Sequence, residues 1–311
     1  MRKLKLFLLT TFAILFAETG YSQTSMIWHF GSNAKLDFTT ITASSPNPTA
    51  TTNSSLSTNE GSSGMTNATG LEDLFYTDGS KVWDKNGNQM PNGFGLKGDA
   101  SSSSSAIVVP KPGSSTRFYI FTVDNSLEDQ DAGLGYWYYE VDMTLNNGLG
   151  DVVKRAGTKL YDNNSNNFPT EKITVAKHAN GTDYWIIIAP KRWLPDIHAY
   201  QLSSTGISAP TISTVSLGGY GHQTHGYLKV NTKSNKIASG CLKLPGTCAL
   251  FLYDFDNSTG FLSNPQRVSQ TRNYPSAYYG VEFSPNSDVL YTTTLLSNAD
   301  LYKINLTAGN S

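Results

Sequence analysis

The chain has 311 residues, with Lys+Arg 23 against Asp+Glu 24, so its formal net charge is −1. This balance lacks the basic footprint that binding to nucleic acid or to an anionic membrane surface requires, and we expect neither as a partner. Only 15% of the residues are charged and 12% are aromatic, and Ser, Thr, Asn and Gly separate short apolar runs. That composition is typical of an all-β protein with many turns.

The first 23 residues have the pattern of a signal peptide. Three basic residues precede an apolar stretch at 6–17, and the small residues Gly20 and Ser22 favour cleavage before Gln23. A membrane anchor is the alternative, but the stretch is shorter than the ~20 residues that a spanning helix needs. We therefore expect export to the cell surface or the medium, with no membrane insertion after the signal is removed.

A strand–turn–strand–strand pattern recurs five times after residue 60. Its clearest copy is GVEFSPNSDVLYTTT followed by ADLYKIN, between residues 280 and 305. Repetition at this spacing predicts a β-propeller, in which each unit is one antiparallel blade of three or four strands. The predicted blades cover residues 61–90, 103–150, 171–217, 225–269 and 279–311.

We interpret residues 24–311 as one propeller domain. Residues 26–38 read as a strand, a turn and a short strand, and residues 39–60 as a loop rich in Ser and Thr. Residues 211–217 and 266–269 are candidates for fourth strands. The alternative is a β-sandwich or a tandem of immunoglobulin-like domains, which would repeat at ~100 residues.

Long phrases of the sequence resemble a known family. They include WHFGSNAKLDF, EGSSGMTNATGLEDLFYTDGSKVWDKNGN, YYEVDMTLNNGLGDV and EKITVAKHANGTDYWIII. These are similar to the N-terminal β-propeller of Bacteroidetes surface proteins that are described as gliding-motility-associated or as carrying a type IX secretion sorting domain. The phrase GVEFSPNSDVLYTT also resembles WD-repeat and YVTN-type blades. The resemblance covers nearly all of residues 26–311.

The resemblance implies a ring of about seven blades, followed by further β domains and a sorting domain. Five units are visible here, and the last one ends after its third strand. We therefore interpret the chain as a fragment whose ring is incomplete, because an open ring leaves exposed sheet edges. The family offers no catalytic residues to assign to this sequence.

One face of the predicted propeller carries the longer loops, which join the fourth strand to the next first strand and the second strand to the third. Aromatic and Arg side chains in such loops suit recognition of a glycan or a protein. The alternative for each aromatic residue is packing between blades. The candidates on this binding face are Arg192, Trp193, Tyr220, His222, His225, Arg272, Tyr274, Tyr278 and Tyr279.

Two carboxylates, Glu171 and Glu282, lie at or near predicted first strands and are candidates to face the central channel. A pair of carboxylates across a channel would serve as the acid and base of a glycosidase. Solvated or ion-paired channel carboxylates are the alternative. Because the sequence contains no hydrolase or nucleotide-binding motif, we favour a non-catalytic module. A polysaccharide hydrolase or lyase, and a structural spacer within a larger surface protein, are the other hypotheses.

Cys241 and Cys248 flank a Pro-Gly turn, and this spacing together with export predicts a disulfide. Two free thiols are the alternative. His222 and His225 lack the third ligand that a zinc site needs. We therefore expect no metal and no cofactor, and we expect a monomer.

Overall fold

The computed structural model describes residues 25–125, 135–161, 169–192, 194–215, 222, 224–242, 249–268, 277–294 and 300–307. Within these ranges the regular structure is β-strand, apart from two short 3-10 turns at Phe38–Thr40 and Asn146–Gly148. No helix in the described ranges has the length and apolar character of a membrane span. The predicted signal peptide lies outside them.

The described strands form six antiparallel sheets, which are the blades of a β-propeller. We call them the N-terminal sheet and blades 1 to 5. The N-terminal sheet contains β1 (Ile27–Phe30), β2 (Ala34–Asp37) and β3 (Thr49–Thr51). Blade 1 contains β4 (Ser63–Thr66), β5 (Asp73–Thr77), β6 (Lys81–Asp84) and β7 (Gln89–Phe94). Blade 2 contains β8 (Ala106–Pro110), β9 (Arg117–Val123), β10 (Tyr136–Asp142), β11 (Asp151–Val152) and β12 (Thr158–Tyr161).

The remaining blades follow the same pattern of sequential antiparallel strands. Blade 3 contains β13 (Ile173–Lys177), β14 (Tyr184–Ile188), β15 (Asp196–Ser203) and β16 (Gly206–Thr214). Blade 4 contains β17 (Leu228–Val230), β18 (Lys236–Ser239), β20 (Phe251–Asp256) and β21 (Phe261–Arg267). Blade 5 contains β19 (Cys241–Leu242), β22 (Ala277–Phe283), β23 (Val289–Thr294) and β24 (Leu301–Asn305). β19, which lies between β18 and β20 of blade 4 in the sequence, thus leaves that blade and pairs with β22 of blade 5.

The predicted class, an all-β propeller of small antiparallel blades, is confirmed, but the predicted count of five visible blades in a seven-bladed ring is wrong. The sixth sheet arises because Thr49–Thr51 pairs with β2, inside the segment 39–60 that the sequence predicts as a loop. β-branched Thr residues favour an extended, pleated backbone even in a polar segment.

Continuous apolar runs in the inner strands are explained by burial on both faces. In blade 2, Val108 and Ile120 pack against blade 1, while the next residues, Val109 and Phe121, pack against blade 3. Because successive side chains of a strand point to opposite faces, a blade between two neighbours needs apolar residues at consecutive positions. The central blades are therefore held together by sheet-on-sheet packing.

Four apolar clusters join consecutive blades, and a fifth, smaller cluster lies on blade 1. This small cluster of Leu56, Tyr76 and Trp83 lies beside the N-terminal sheet, and the larger clusters join blades 1 to 2, 2 to 3, 3 to 4 and 4 to 5. Among the described residues, no corresponding cluster joins blade 5 to the N-terminal sheet.

The segments just before the innermost strands, which we call lead-in segments, approach each other closely. A Cβ atom on Gly61, before β4, would lie 2.3 Å from the backbone nitrogen of Ser105, before β8. The same crowding occurs just after β18 of blade 4, where a Cβ atom on Gly240 would lie 2.4 Å from the carbonyl oxygen of Tyr278 in blade 5. Glycine is required at both positions because backbone meets backbone there. This crowding brings lead-in segments of different blades within hydrogen-bonding distance.

Candidate functional site

Polar side chains occupy equivalent positions in successive lead-in segments. Glu60, Ser103 and His225 each lie three residues before the first residue of β4, β8 and β17, and Glu171 lies two residues before β13. Tyr279 lies on β22 of blade 5. We call these five residues the axial cluster, because one comes from the innermost part of each of blades 1 to 5.

Hydrogen bonds connect the axial cluster across blades. The Tyr279 hydroxyl donates to the Glu60 carboxylate and lies 2.9 Å from Ser103 Oγ. Ser103 donates twice to Glu171 Oε2, from its backbone nitrogen at 2.8 Å and from its hydroxyl at 2.6 Å. His225 Nε2 lies 3.5 Å from Glu171 Oε1. Residues from five blades thus form one polar network.

A buried lysine lies next to the network. Lys172 is fully buried, and its Nζ donates to the carbonyl oxygens of His225 at 3.1 Å, Gly226 at 2.9 Å and Gly240 at 2.6 Å. These three acceptors match the three donors of an ammonium group. Burial nevertheless lowers the pKa of Lys172 to about 7, and neighbouring Glu171 opposes that shift. The lysine therefore joins blade 3 to blade 4 through backbone carbonyls.

Gly226 completes the link between Lys172 and the cluster. Its carbonyl accepts from Lys172, and its backbone nitrogen donates to Ser103 Oγ at 3.1 Å. Gly226 has a φ of +97°, and a Cβ there would lie 3.0 Å from the backbone nitrogen of Cys241. A side chain at this position would strain the backbone and displace the strand crossing that follows it.

The axial cluster contains fully buried residues, which we call the floor, and partly exposed residues, which we call the rim. Ser103 and Glu171 are fully buried, whereas Glu60, His225 and Tyr279 are partly exposed. Tyr227, also partly exposed, packs edge-on against Tyr279 with ring centroids 5.7 Å apart. The rim therefore offers a carboxylate, an imidazole and two phenol rings to a molecule in solution.

Burial shifts the pKa values of the side chains in the rim. It raises the pKa of the Glu60 carboxyl, which the hydrogen bond from Tyr279 opposes. It also raises the pKa of Tyr279 and of Tyr227. The pKa of His225 is lowered by burial, against the attraction of Glu171, and further by the charges of Lys172 and Arg192. His225 is therefore neutral at pH 7 and can both donate and accept a hydrogen bond.

The predicted binding-face residues divide into three groups. His225 and Tyr279 meet in the axial cluster, and Arg192 lies near enough to lower the pKa of His225. His222 is buried, and Tyr278 belongs to the apolar cluster between blades 4 and 5. The others lie outside the described residues: Trp193, Tyr220, Arg272 and Tyr274.

The two predicted channel carboxylates have different surroundings. Glu171 is in the axial cluster, but the side chain of Glu282 is 59% exposed and pairs with Lys229 at 3.3 Å. The carboxylate whose charge acts on Glu60 is instead Glu171, which raises the pKa of Glu60. The acidic pair near the axis is therefore Glu60 with Glu171.

Glu60, Ser103, Lys172 and Tyr227 are site residues that the sequence analysis missed. Glu60 falls in a segment predicted to be a loop, and Ser103 lies in a serine run that has no distinctive composition. The repeats contained a pattern that points to these four residues, because each of them lies within the three residues before an innermost strand. Aligning the residues just before each first strand would have found them.

The arrangement limits the chemistry of the cluster. The Ser103 hydroxyl donates to Glu171 Oε2 at 2.6 Å, and Thr224 Oγ1 lies 2.9 Å from His225 Nδ1, so both hydroxyls are held inside the network. Among the described residues, no group of three or more His, Cys, Asp or Glu is placed to hold a metal ion.

Cys241 is disulfide-bonded. Cys248, its predicted partner, lies outside the described residues, and the pairing stays a prediction.

Comparisons with known proteins support the fold. No protein-family model matches the sequence, and no curated protein matches it. The chain is similar in structure to the β-propeller domain of Cps50 (Swd1) from Myceliophteria thermophila, with a TM-score of 0.51 and 11% identity over 94% of this chain and 83% of that chain. At such identity the likeness concerns the fold alone.

Two further similar structures are 6-phosphogluconolactonase-like proteins. The one from Bacteroides uniformis has a TM-score of 0.46 and 11% identity, and the match covers 91% of this chain and 77% of that chain. The one from Bacteroides fragilis has a TM-score of 0.46 and 8% identity, and the match covers 90% of this chain and 79% of that chain.

Proposed function

We propose that this chain is an exported β-propeller module that binds a glycan at the axial cluster without transforming it. The observation that carries the proposal is the partly exposed rim of Glu60, His225, Tyr227 and Tyr279 beside the fully buried Ser103 and Glu171. The rim has acceptors and donors held by bonds from several blades, so it is organised before a ligand arrives.

The chemistry of the rim suits a neutral sugar. A carboxylate accepts hydrogen bonds from sugar hydroxyls, a neutral imidazole both accepts and donates, and phenol rings supply flat apolar surface with a polar edge. The ring of Tyr227 already has Lys229 Nζ 5.4 Å from its centroid, so the ring of Tyr279 is the better stacking surface. A binding site with few fixed polar groups and aromatic walls is what small-ligand recognition commonly uses.

Binding without catalysis is supported by the burial of Glu171. A glycosidase needs two carboxyl groups that flank the scissile bond in an open cleft. Glu60 is partly exposed, but Glu171 is fully buried and its Oε2 is occupied by two donors from Ser103. A substrate therefore reaches one carboxyl group of the pair and not the other.

A glycan array probed with the purified protein tests the proposal. We expect selective binding, which Glu60→Gln and Tyr279→Phe each weaken by about 10-fold or more, the usual cost of losing one hydrogen bond to a charged group. Glu72→Gln is the matched control, because Glu72 is an exposed carboxylate of blade 1 away from the lead-in segments. The proposal fails if no glycan binds, or if the control weakens binding as much as Glu60→Gln does.

A polysaccharide hydrolase is the second candidate. The specific observation in its favour is the pKa of Glu60, which burial and the nearby Glu171 raise, as in a general acid. Release of reducing ends from a bound polysaccharide, abolished in Glu60→Gln, would support hydrolysis. Intact polysaccharide after prolonged incubation would support binding alone.

Export and family membership belong to the same proposal. The pattern of residues 1–23 supports export, and the quoted phrases support a relationship to Bacteroidetes surface proteins. N-terminal sequencing of the secreted protein tests export, and a mature chain that begins at Gln23 is the expected result. Retention of residues 1–22 in the mature protein would refute it.

A further inference from the structure

The N-terminal sheet separates polar and apolar side chains between its two faces. Opposite residues in an antiparallel pair share a face, and the register pairs Trp28 with Leu36, Phe30 with Ala34, and Leu36 with Ala50. One face therefore consists of these five apolar residues, and we call it the outer face. No charged side chain belongs to it.

The opposite face contains His29 and Lys35 and packs against blade 1 through polar contacts. His29 Nε2 lies 3.0 Å from Asp73 Oδ2, and Lys35 Nζ lies 3.6 Å from the same oxygen. The ring of His29 also stacks on Tyr76 with centroids 3.8 Å apart. The polar face of this sheet is therefore the one turned toward the rest of the propeller.

The outer face is left in contact with solvent. Trp28 is 53% exposed and Phe30 is 39% exposed. Trp28 packs against Phe38, in the 3-10 turn that follows β2, with ring centroids 4.8 Å apart. Large aromatic side chains grouped on one sheet face are characteristic of a surface that another protein surface covers.

We propose that the outer face of the N-terminal sheet binds the same face of a second copy of this chain, forming a two-fold symmetric dimer. The face continues the series of sheet-on-sheet interfaces that join the other blades, each built from apolar side chains. Packing against an identical face buries no charge, since the face carries none. A net charge of −1 adds little repulsion between two copies.

The face of blade 5 that is turned away from blade 4 is less suited to cover the outer face of the N-terminal sheet. Glu282, Tyr291 and Lys303 lie opposite one another and share that face. Both Glu282 and Lys303 are exposed there. Covering Trp28 with that face would remove Lys303 and the ion pair of Glu282 with Lys229 from water, at a cost that the apolar contacts would have to exceed. A self-complementary contact avoids that cost and closes at two copies.

Sedimentation velocity over a concentration range of roughly 1 to 300 µM, which spans micromolar dissociation constants, tests this proposal. We expect a monomer–dimer equilibrium for the wild-type protein. The double variant Trp28→Ser/Phe30→Ser should associate at least roughly tenfold more weakly, as loss of aromatic interface residues commonly does. The matched control is Ile212→Ser/Phe261→Ser, which removes apolar side chains that are 50% and 49% exposed on blades 3 and 4. The control should dimerise like the wild type.

Hydrogen exchange of the wild-type protein provides a readout that does not depend on a variant folding. Protection of residues 26–38 should rise with protein concentration if a second copy covers them. A wild-type protein that stays monomeric across the range overturns the proposal, whether exchange in 26–38 is fast or slow. Slow, concentration-independent exchange in a monomer would indicate that blade 5, and not a second copy of the chain, covers the outer face. A dimer that persists in Trp28→Ser/Phe30→Ser also overturns it. This inference differs from the expectation of a monomer, and the same experiment decides between them; it is independent of glycan binding.

Discussion

Glu60 and Tyr279 are 219 residues apart in the sequence, and the Tyr279 hydroxyl donates a hydrogen bond to the Glu60 carboxylate. The bond joins the lead-in segment of blade 1 to the innermost part of blade 5. It therefore holds blade 1 and blade 5 together at the rim, where the polar network is exposed to solvent. Loss of this bond removes a donor from the partly buried Glu60 carboxylate, so we expect it to change both stability and binding.

Tyr279→Phe should destabilise the protein by about 1–3 kcal/mol, because it leaves a partly buried carboxylate without its donor. Urea unfolding followed by circular dichroism measures the change. Tyr291→Phe is the control, since Tyr291 lies on the neighbouring strand β23 with similar partial exposure. Equal destabilisation by the two substitutions would contradict the importance that we assign to the Glu60 contact.

Lys172→Met should be more damaging, at about 3–5 kcal/mol, because it leaves the buried carbonyls of His225, Gly226 and Gly240 without a donor and removes the positive charge beside Glu171. Lys85→Met, an exposed position of blade 1, serves as the control. Thermal and chemical unfolding both report the difference. A Lys172→Met protein as stable as the control would show that the three carbonyls find other donors.

Acid should weaken the fold through His222. Burial lowers the pKa of His222 from 6.5 to about 3, so between these pH values the unfolded chain binds a proton that the folded chain does not. Stability therefore falls as the pH drops through this window. His222→Gln should reduce the pH dependence of the unfolding free energy there by up to about 1.4 kcal/mol per pH unit.

His178→Gln is the control for that measurement, because His178 is a partly exposed histidine of blade 3. Unfolding free energies from pH 4 to 7 for the three proteins provide the comparison. An unchanged pH dependence in His222→Gln would mean that the buried imidazole does not cause the loss of stability in acid.

The exported protein should contain a disulfide between Cys241 and Cys248, its two cysteines. Alkylation before reduction should modify neither cysteine, and alkylation after reduction should modify both, as read by peptide mass spectrometry. Cys241→Ser/Cys248→Ser should lower stability by only about 1–3 kcal/mol, because the closed loop is short. Full alkylation of the unreduced, secreted protein would refute the pairing.

Much of the fold was predictable because its determinants are local. An apolar strand such as β13, preceded by a turn and followed by an Asn-Gly pair, specifies its own extension and reversal. Five such units in a row predicted blades 1 to 5. Fourth strands lie at Gly206–Thr214 and Phe261–Arg267 and begin five residues earlier than the predicted 211–217 and 266–269. The sequence prediction missed β3 of the N-terminal sheet. Thr49–Thr51 lies in a polar segment and becomes a strand only by pairing with β2.

The sequence by itself determined the period of the propeller and where each innermost strand begins. Only the tertiary structure decided which polar groups meet at the axis, and it placed Glu171 near Glu60 rather than with Glu282. The reason is geometric: contacts between lead-in segments depend on how many blades separate them and how each blade is rotated, and no local pattern encodes either. The same holds for the N-terminal sheet, where alternation defines two faces but only packing decides that His29 and Lys35 turn toward blade 1 and Trp28 toward solvent.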